Sequence, residues 1–436
     1  MTFPFQKITV RLLPALAVSL SLVAAAHADI PDDVTLDADT ELGGYLAVAA
    51  LRNPGLEAAF NRWQAAVERV AQARSLPNPT LSYAYYIEEV ETRVGPQRQK
   101  YGLAQKLPWF GTRALHGEAA TQSAAVARQK YEVIRRRLFR DVRRAFYDYY
   151  HLGKALEIAT AHHHVYLSHE RAMTSRLRTG MPLPKLLALQ IEHDLLMDHL
   201  DALAHTEPAL RARINALLNR NVNAPLAFPR TTPEEAFEHD EAELFRTLAR
   251  ENPFLRQLDA ATAMRDAEAR LARKHKYPDI QLRADYIDTG KALAEGLADS
   301  GKDPVIAGIA LELPLWRGAD RAREREAELQ KTAIASERTA EANRLQAHLQ
   351  GALVDFHDAE RRVALYGQRL LPQAEQAVKS ARADYRSGRL DLPMLLHADH
   401  RLLEIQSGYE RAFADRGVAL AEIQMLALPA SKEVQP

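Results

Sequence analysis

Two stretches of helical periodicity, residues 111–179 and 318–387, run for 69 and 70 residues, or roughly 100 Å each at about 1.5 Å per residue. An ordinary globular core has no room for such helices, so they must bury their apolar stripes along one another. In the first, Leu138, Val142, Ala145, Tyr149, Leu152, Leu156 and Ala159 follow a 4-3 spacing, and in the second Leu349, Phe356, Val363, Leu370 and Ala377 fall seven apart. That is the seam of a coiled coil. Arg135, Arg136, Arg137, Arg143 and Arg144 occupy the remaining faces, as solvated surface and ion pairs do. Each long stretch is followed by a glycine, Gly180 or Gly388, and by a return helix over 183–218 or 392–426, so the chain runs out and back twice. Pro372 interrupts only the second long stretch, and its missing N–H predicts a kink one turn earlier.

The chain is written twice. Asn53-Pro54 recurs as Asn252-Pro253, 199 residues on, and Leu56, Pro79 and Leu81 meet Leu255, Pro278 and Ile280 at the same offset. Leu107-Pro108-Trp109 answers Leu313-Pro314-Leu315-Trp316, and Arg178-Thr179-Gly180 answers Arg386-Ser387-Gly388. The order predicts a signal segment over 1–28, an N-terminal extension over 29–44, repeats over 45–220 and 241–428, a linker over 221–240 rich in proline (Pro225, Pro229, Pro233), and a tail over 429–436. Each repeat opens with an Ala-rich helical stretch, 45–74 or 241–275.

Between the helices the period changes to two. Leu81, Tyr83, Tyr85 and Ile87 alternate with Ser82, Ala84, Tyr86 and Glu88; Tyr101, Leu103 and Leu107 face away from Lys100, Ala104 and Lys106 across a turn at Gly95-Pro96. In the second repeat Ile280, Leu282, Ala284 and Tyr286 alternate with Gln281, Arg283 and Asp285, and Val305, Ala307, Ile309, Leu311 and Leu313 with Gly308, Ala310 and Glu312. Strands with one apolar and one mixed-polar face fit a barrel wall, with Leu81, Tyr83, Leu282 and Ile309 toward lipid and Arg283, Asp285 and Glu312 toward the lumen. Four strands alone would leave two edges of unpaired backbone groups in hydrocarbon, so the sheet must close with other copies. Twelve strands from three copies is the smallest number that leaves a usable bore, although the sequence alone leaves two or four copies open.

Composition narrows the class further. Lys and Arg number 57 against 57 Asp and Glu, so no bulk charge draws the chain to nucleic acid. Beyond the N-terminus no stretch approaches the roughly 20 apolar residues of a membrane-crossing helix. Lys7 and Arg11, the apolar run over 12–26 and Ala26-His27-Ala28 read as a secretory signal cleaved before Asp29. There is no cysteine, hence no disulfide, thiolate site or N-terminal lipidated Cys.

No motif places a nucleophile, a phosphate loop or a metal-activated water, so the chain reads as a non-enzyme without cofactor. His162, His163 and His164, with His169, point about 100° apart in succession and cannot converge on one ion within a subunit, which reads as a solvated helical face, while three copies around a bore leave weak metal contact open. Trp109 and Trp316 sit where strand becomes helix, suited either to a membrane interface or to packing at the corner.

Several of these motifs together resemble the TolC family of outer-membrane efflux proteins: the Asn-Pro helix starts; Pro77-Asn78-Pro79; the corners Gln105-Lys106-Leu107-Pro108-Trp109-Phe110-Gly111 and Leu313-Pro314-Leu315-Trp316-Arg317-Gly318; and the tip Tyr385-Arg386-Ser387-Gly388 followed by Leu395-Leu396-His397-Ala398-Asp399. The resemblance spans about 45–426, and the spacing of the corners is similar to the branch serving heavy-metal pumps of the RND type. It implies an α+β membrane protein: a homotrimer whose four transmembrane strands per chain make a 12-stranded barrel in outer-membrane lipid, continued by an α-helical coiled-coil barrel through the periplasm. A periplasmic adaptor (membrane fusion protein) would dock it to an inner-membrane RND-type pump, for export of small solutes, metal ions among them. A type I secretion exit duct shares this architecture, and a periplasmic tethering coil is the alternative without a barrel.

The resemblance also implies acidic rings on the return helix near the tip. Here six and nine residues after Gly388 stand Met394 and His397, with acids at Asp391 and Asp399, so the expected periplasmic gate is Asp391, Met394, His397 and Asp399. Met with His suits soft metal ions. The adaptor contact is expected at Arg178, Thr179 and Gly180 and at Arg386, Ser387 and Gly388, around the mouth.

Overall fold

The computed structural model describes residues 36–177, 183–232, 237 and 240–427. The signal segment and the Arg178-Thr179-Gly180 turn lie outside them. The chain runs α1 (Leu42–Arg52), α2 (Pro54–Arg74), β1 (Thr80–Val90), β2 (Gln97–Leu107), α3 (Thr112–Leu177) and α4 (Leu183–Leu217). It then repeats the order as α5 (Glu241–Glu251), α6 (Pro253–Ala272), β3 (Asp279–Thr289), β4 (Val305–Glu312), α7 (Arg317–Leu365), α8 (Leu371–Arg386) and α9 (Leu392–Ala427). Leu42, Pro54 and Thr80 open α1, α2 and β1, and their counterparts open 199 residues later. The outer turn of the second hairpin, 290–304, is longer than its counterpart at 91–96. The two turns are bonded together, Gly290 and Gly301 donating to the carbonyls of Pro96 and Val94 at 2.7 Å.

Each Ala-rich stretch, expected as one helix, is two. Proline disfavours a helical residue before it, and Asn53 and Asn252 are extended, with ψ of 115° and 122°. Their side chains turn the break into a joint. Asn53 Oδ1 accepts from the Leu56 N–H at 3.1 Å while its Nδ2 donates to the Leu217 carbonyl at 3.0 Å. Asn252 Oδ1 accepts from the Phe254 N–H and its Nδ2 donates to the Leu426 carbonyl, both at 2.9 Å. One amide thus caps the start of α2 or α6 and the end of the return helix α4 or α9, satisfying backbone groups that helix ends leave open.

The seam of α3 is buried as its spacing predicts, from Leu138 and Val142 through Ala145, Tyr149 and Leu152 to Ala159, with Leu156 half-buried. In the second half Leu349 and Phe356 are buried, but Ala377 is exposed and Ala374 and Val378 are buried instead. The cause lies at the expected kink: residues Tyr366–Leu370 form a π-helical turn directly ahead of Pro372. A π-turn carries one extra residue, which lets the chain continue past proline and moves the seam one position. Tyr366 there packs on Gly408 and Tyr409 on Gly367, so the π-turn and α9 approach closely.

The connection after α4 is irregular, as its prolines require, but fastened. Asn215 donates to the carbonyls of Val222 and Ala224, Tyr149 Oη donates to the Leu226 carbonyl at 2.9 Å, and Phe228 lies 4.6 Å from the Tyr149 ring.

The buried Asn252 joint predicts a local and a global effect. Asn252→Ala should cost about 2 kcal/mol, through loss of a cap and an unsatisfied buried carbonyl at Leu426. Hydrogen exchange should accelerate at Phe254 and at the end of α9 before it does elsewhere.

Candidate functional site

The four strands form one antiparallel sheet in the order β1-β2-β3-β4, so β1 and β4 each have a free edge. Pairings Leu81↔Leu103, Leu103↔Ala284 and Ala284↔Ala307 define one row, and Ser82↔Gly102, Gly102↔Asp285 and Asp285↔Ile306 the next. Side chains alternate between faces along a strand. Leu81, Tyr83, Leu282 and Ile309 therefore share one face, and Arg283, Asp285 and Glu312 the other, in the register that the alternation predicts. The apolar face is bare within the chain: Leu81 is 77% exposed, Ile309 72% and Ile87, further along β1, 93%. Across it runs a row of rings, Tyr83 5.2 Å from Tyr101 and Tyr101 6.3 Å from Tyr286.

The opposite face carries paired charges. Lys106 Nζ lies 3.1 Å from Asp279 and 2.7 Å from Glu312, joining β2, β3 and β4, and Lys100 lies 3.5 Å from Asp285. Arg283 is exposed. Lys106 was legible as part of the corner motif, but its partners depend on register and could not be read ahead.

At the corners the two tryptophans differ. Trp109 stacks on Tyr277 at 5.2 Å with the planes 3° apart, and its backbone N–H donates to Asp279 Oδ1 at 3.2 Å. Trp316 is 82% exposed at the start of α7. The first is packing; the second is free to meet an interface. Among the described residues no helix is long and apolar enough to cross a membrane.

At the tip, Gly388 has φ of 75° and closes α8. The Gly388 N–H donates to the Tyr385 carbonyl at 3.2 Å and the Arg389 N–H to the Asp384 carbonyl at 2.8 Å, the paired bonds of a Schellman cap. Arg386 and Ser387 beside it are exposed.

The four expected gate residues do not lie together. Asp391, Met394 and His397 are exposed along one side of α9, with Asp391 held by Lys185 of α4 at 2.8 Å. Asp399 is instead fully buried, 2.9 Å from Arg382 of α8 and 3.5 Å from His169 of α3. Two residues beyond His397, it faces another side of the helix and pins three helices together. Burial pushes its carboxyl up, but the hydrogen bonds and charges of His169 and Arg382 outweigh this and hold it below its ordinary 3.8.

His164 is exposed, but its neighbours depart from a solvated face. His162 is buried with Nε2 3.0 Å from Gln406 Oε1, and His163 Nδ1 lies 2.8 Å from His193 Nε2 on α4. His193 in turn meets Glu170 at 3.5 Å. Burial first, then the neighbouring His193 and His164, lowers the pKa of His163 and favours its neutral ring. Among the described residues no group of three or more His, Asp or Glu could hold a metal ion.

Asp399→Asn should destabilise the protein by about 1–2 kcal/mol at pH 7, a buried-pair loss moderated by the partial exposure of Arg382. Because the folded pKa is depressed, the wild-type advantage is full above pH 3.8 and vanishes as pH falls through the lower folded value. Denaturant unfolding from pH 7 downward should show the gap between the two proteins unchanged to about pH 3.8 and narrowing only below it.

No family model matches the sequence, and no curated protein matches it. Solved structures do. CusC, studied for conformational changes accompanying folding and transmembrane channel formation, superposes with a TM-score of 0.76 at 16% identity, covering 90% of this chain and 93% of that one. The CmeC outer membrane channel of Campylobacter jejuni gives 0.75 at 12% identity, over 90% and 88%. The outer membrane protein VceC of Vibrio cholerae gives 0.71 at 18%, over 89% and 97%. The chain has the fold of these outer-membrane channel proteins.

Proposed function

We propose that this chain is one third of a homotrimeric, TolC-like channel in the bacterial outer membrane, the exit duct of a tripartite efflux system, and that it is not an enzyme. The observation that carries the reading is the sheet: four strands, bare on both faces, apolar on one and charged on the other, with two free edges. Closing β4 of one copy on β1 of the next satisfies the edge backbone and yields twelve strands, lipid outside and Lys106, Asp279, Asp285 and Glu312 toward water. The exposed Trp316 marks the interface at the base of the wall.

Below the membrane the roughly 100 Å helices extend the bore through the periplasm. Arg386, Ser387 and Gly388, with Arg178, Thr179 and Gly180 in the other hairpin, form the surface for a periplasmic adaptor, which joins the duct to an inner-membrane RND-type pump. Asp391, Met394 and His397 ring the entrance and favour small solutes, with soft metal ions the class that thioether and imidazole suit. Asp399 takes no part in this ring.

Planar-bilayer recording and membrane fractionation test the reading together. Arg at Leu81 or Ile309 should cost about 2–4 kcal/mol at mid-membrane and deplete assembled protein. Glu312→Gln should leave assembly intact and change conductance, and Asp391→Ala with His397→Ala should raise it. Release of the protein by carbonate, or equal tolerance of both strand faces, would contradict the reading.

A further inference from the structure

Where α3 of the first repeat meets α6, α7 and α9 of the second lies a cavity of about 240 Å³, walled by Arg136, Arg137, Arg140, Arg344 and His348. Most of these cations are already answered. Arg140 meets Asp141 at 2.8 Å and Glu422 at 3.4 Å, Glu422 also meets His348 at 3.0 Å, and Arg344 pairs with Glu341. Arg137 lies 5.9 Å above the Phe254 ring.

Arg136 is the exception. Its guanidinium donates once, to the Met425 carbonyl at 3.3 Å, and its Nε is buried with no hydrogen-bond partner. Among the described residues no carboxylate lies within ion-pair distance of it: Glu132, whose field reaches it, is engaged by Arg135 at 2.8 Å. Burial lowers its pKa; Glu132 and Glu251 act against this from beyond ion-pair distance, while Arg135 and Arg256 add like charge. A guanidinium does not give up its proton in a protein, so this charge cannot neutralise itself as a buried lysine would. Arg136 is half-buried, and a guanidinium in that setting with no carboxylate at ion-pair distance is a ready partner for an anion that enters the cavity.

We propose that this cavity binds a small oxyanion, a phosphate or a compact carboxylate, with Arg136 as its principal ligand and Arg137 and Arg344 at the rim. The guanidinium fork matches two oxygens of one anion, which a halide does not offer. The positive end of α6, opening at Pro253, adds to the same field. Because Arg136 and Arg137 stand on α3 and Arg344 on α7, a bound anion ties the first repeat to the second at mid-length of the helices. The site stands apart from the channel reading, since none of its residues belongs to the strands or the tip.

Thermal unfolding and calorimetry of the full chain in detergent, with inorganic phosphate and citrate each compared with chloride at matched ionic strength, test this directly. At least one oxyanion should bind saturably at millimolar or lower concentration and raise the midpoint, where chloride does not. Arg136→Met should weaken that binding at least tenfold while unfolding in chloride no earlier than wild type. A response to phosphate and citrate no greater than to chloride, or full binding retained by Arg136→Met, would overturn the proposal. Should Arg136→Met fail to fold, Arg137→Met with Arg344→Met at the exposed rim carries the same expectation, and unchanged oxyanion binding there overturns it equally.

Discussion

A strand edge in hydrocarbon has no water to bond with, and under the proposed channel reading that single constraint organises this molecule. Each N–H and C=O left open in a bilayer costs several kcal/mol, yet β1 and β4 present such groups along their whole length. On that reading the sheet is incomplete as one chain. Its apolar face, exposed on β1 and β4 alike, has nothing of its own to cover it. Assembly is in this account a condition of the fold.

The helices solve a different problem, which is how a chain with so little conventional core stays in register over such a length. Two devices recur. At mid-length, Asn53 and Asn252 each cap one helix and receive the end of another, so each repeat closes on itself. Toward the tip, Asp399 gathers α3, α8 and α9 through Arg382 and His169, and Lys185 reaches Asp391 between the hairpins. Between them the apolar seam does the packing, and the π-turn at Tyr366–Leu370 absorbs Pro372 at the expense of one residue of phase.

Much of this was legible in the sequence because it is periodic. Strand faces follow from alternation, and the register Leu81↔Leu103 with Leu282↔Ile309 preserves them. The return helices, the tip glycine and the break in the α-helical pattern before Pro372 follow from local chemistry. Contacts between elements were not legible. Ala377 looked like a seam residue until the π-turn moved the seam to Val378, and the Ala-rich stretches looked continuous because their Asn-Pro breaks fall between good helix formers. Asp399 sat in sequence beside exposed His397, but two residues turn a helix by about 200°, into the core. His163 finds His193 only once α3 and α4 pack.

The proposed dependence of the sheet on neighbouring copies is open to a direct measurement, because the sequence has no cysteine to confuse it. Ser82→Cys on edge strand β1 can be combined in turn with Ile306→Cys, Gly308→Cys or Ala310→Cys on edge strand β4, the panel allowing for stagger between copies. Oxidised in membranes and separated under denaturing conditions, at least one pair should run as a covalent species of three chains. If every pair stays monomeric, or stops at two chains, in protein that is integrated in the membrane, the edges do not close on neighbouring copies and the account of the channel fails.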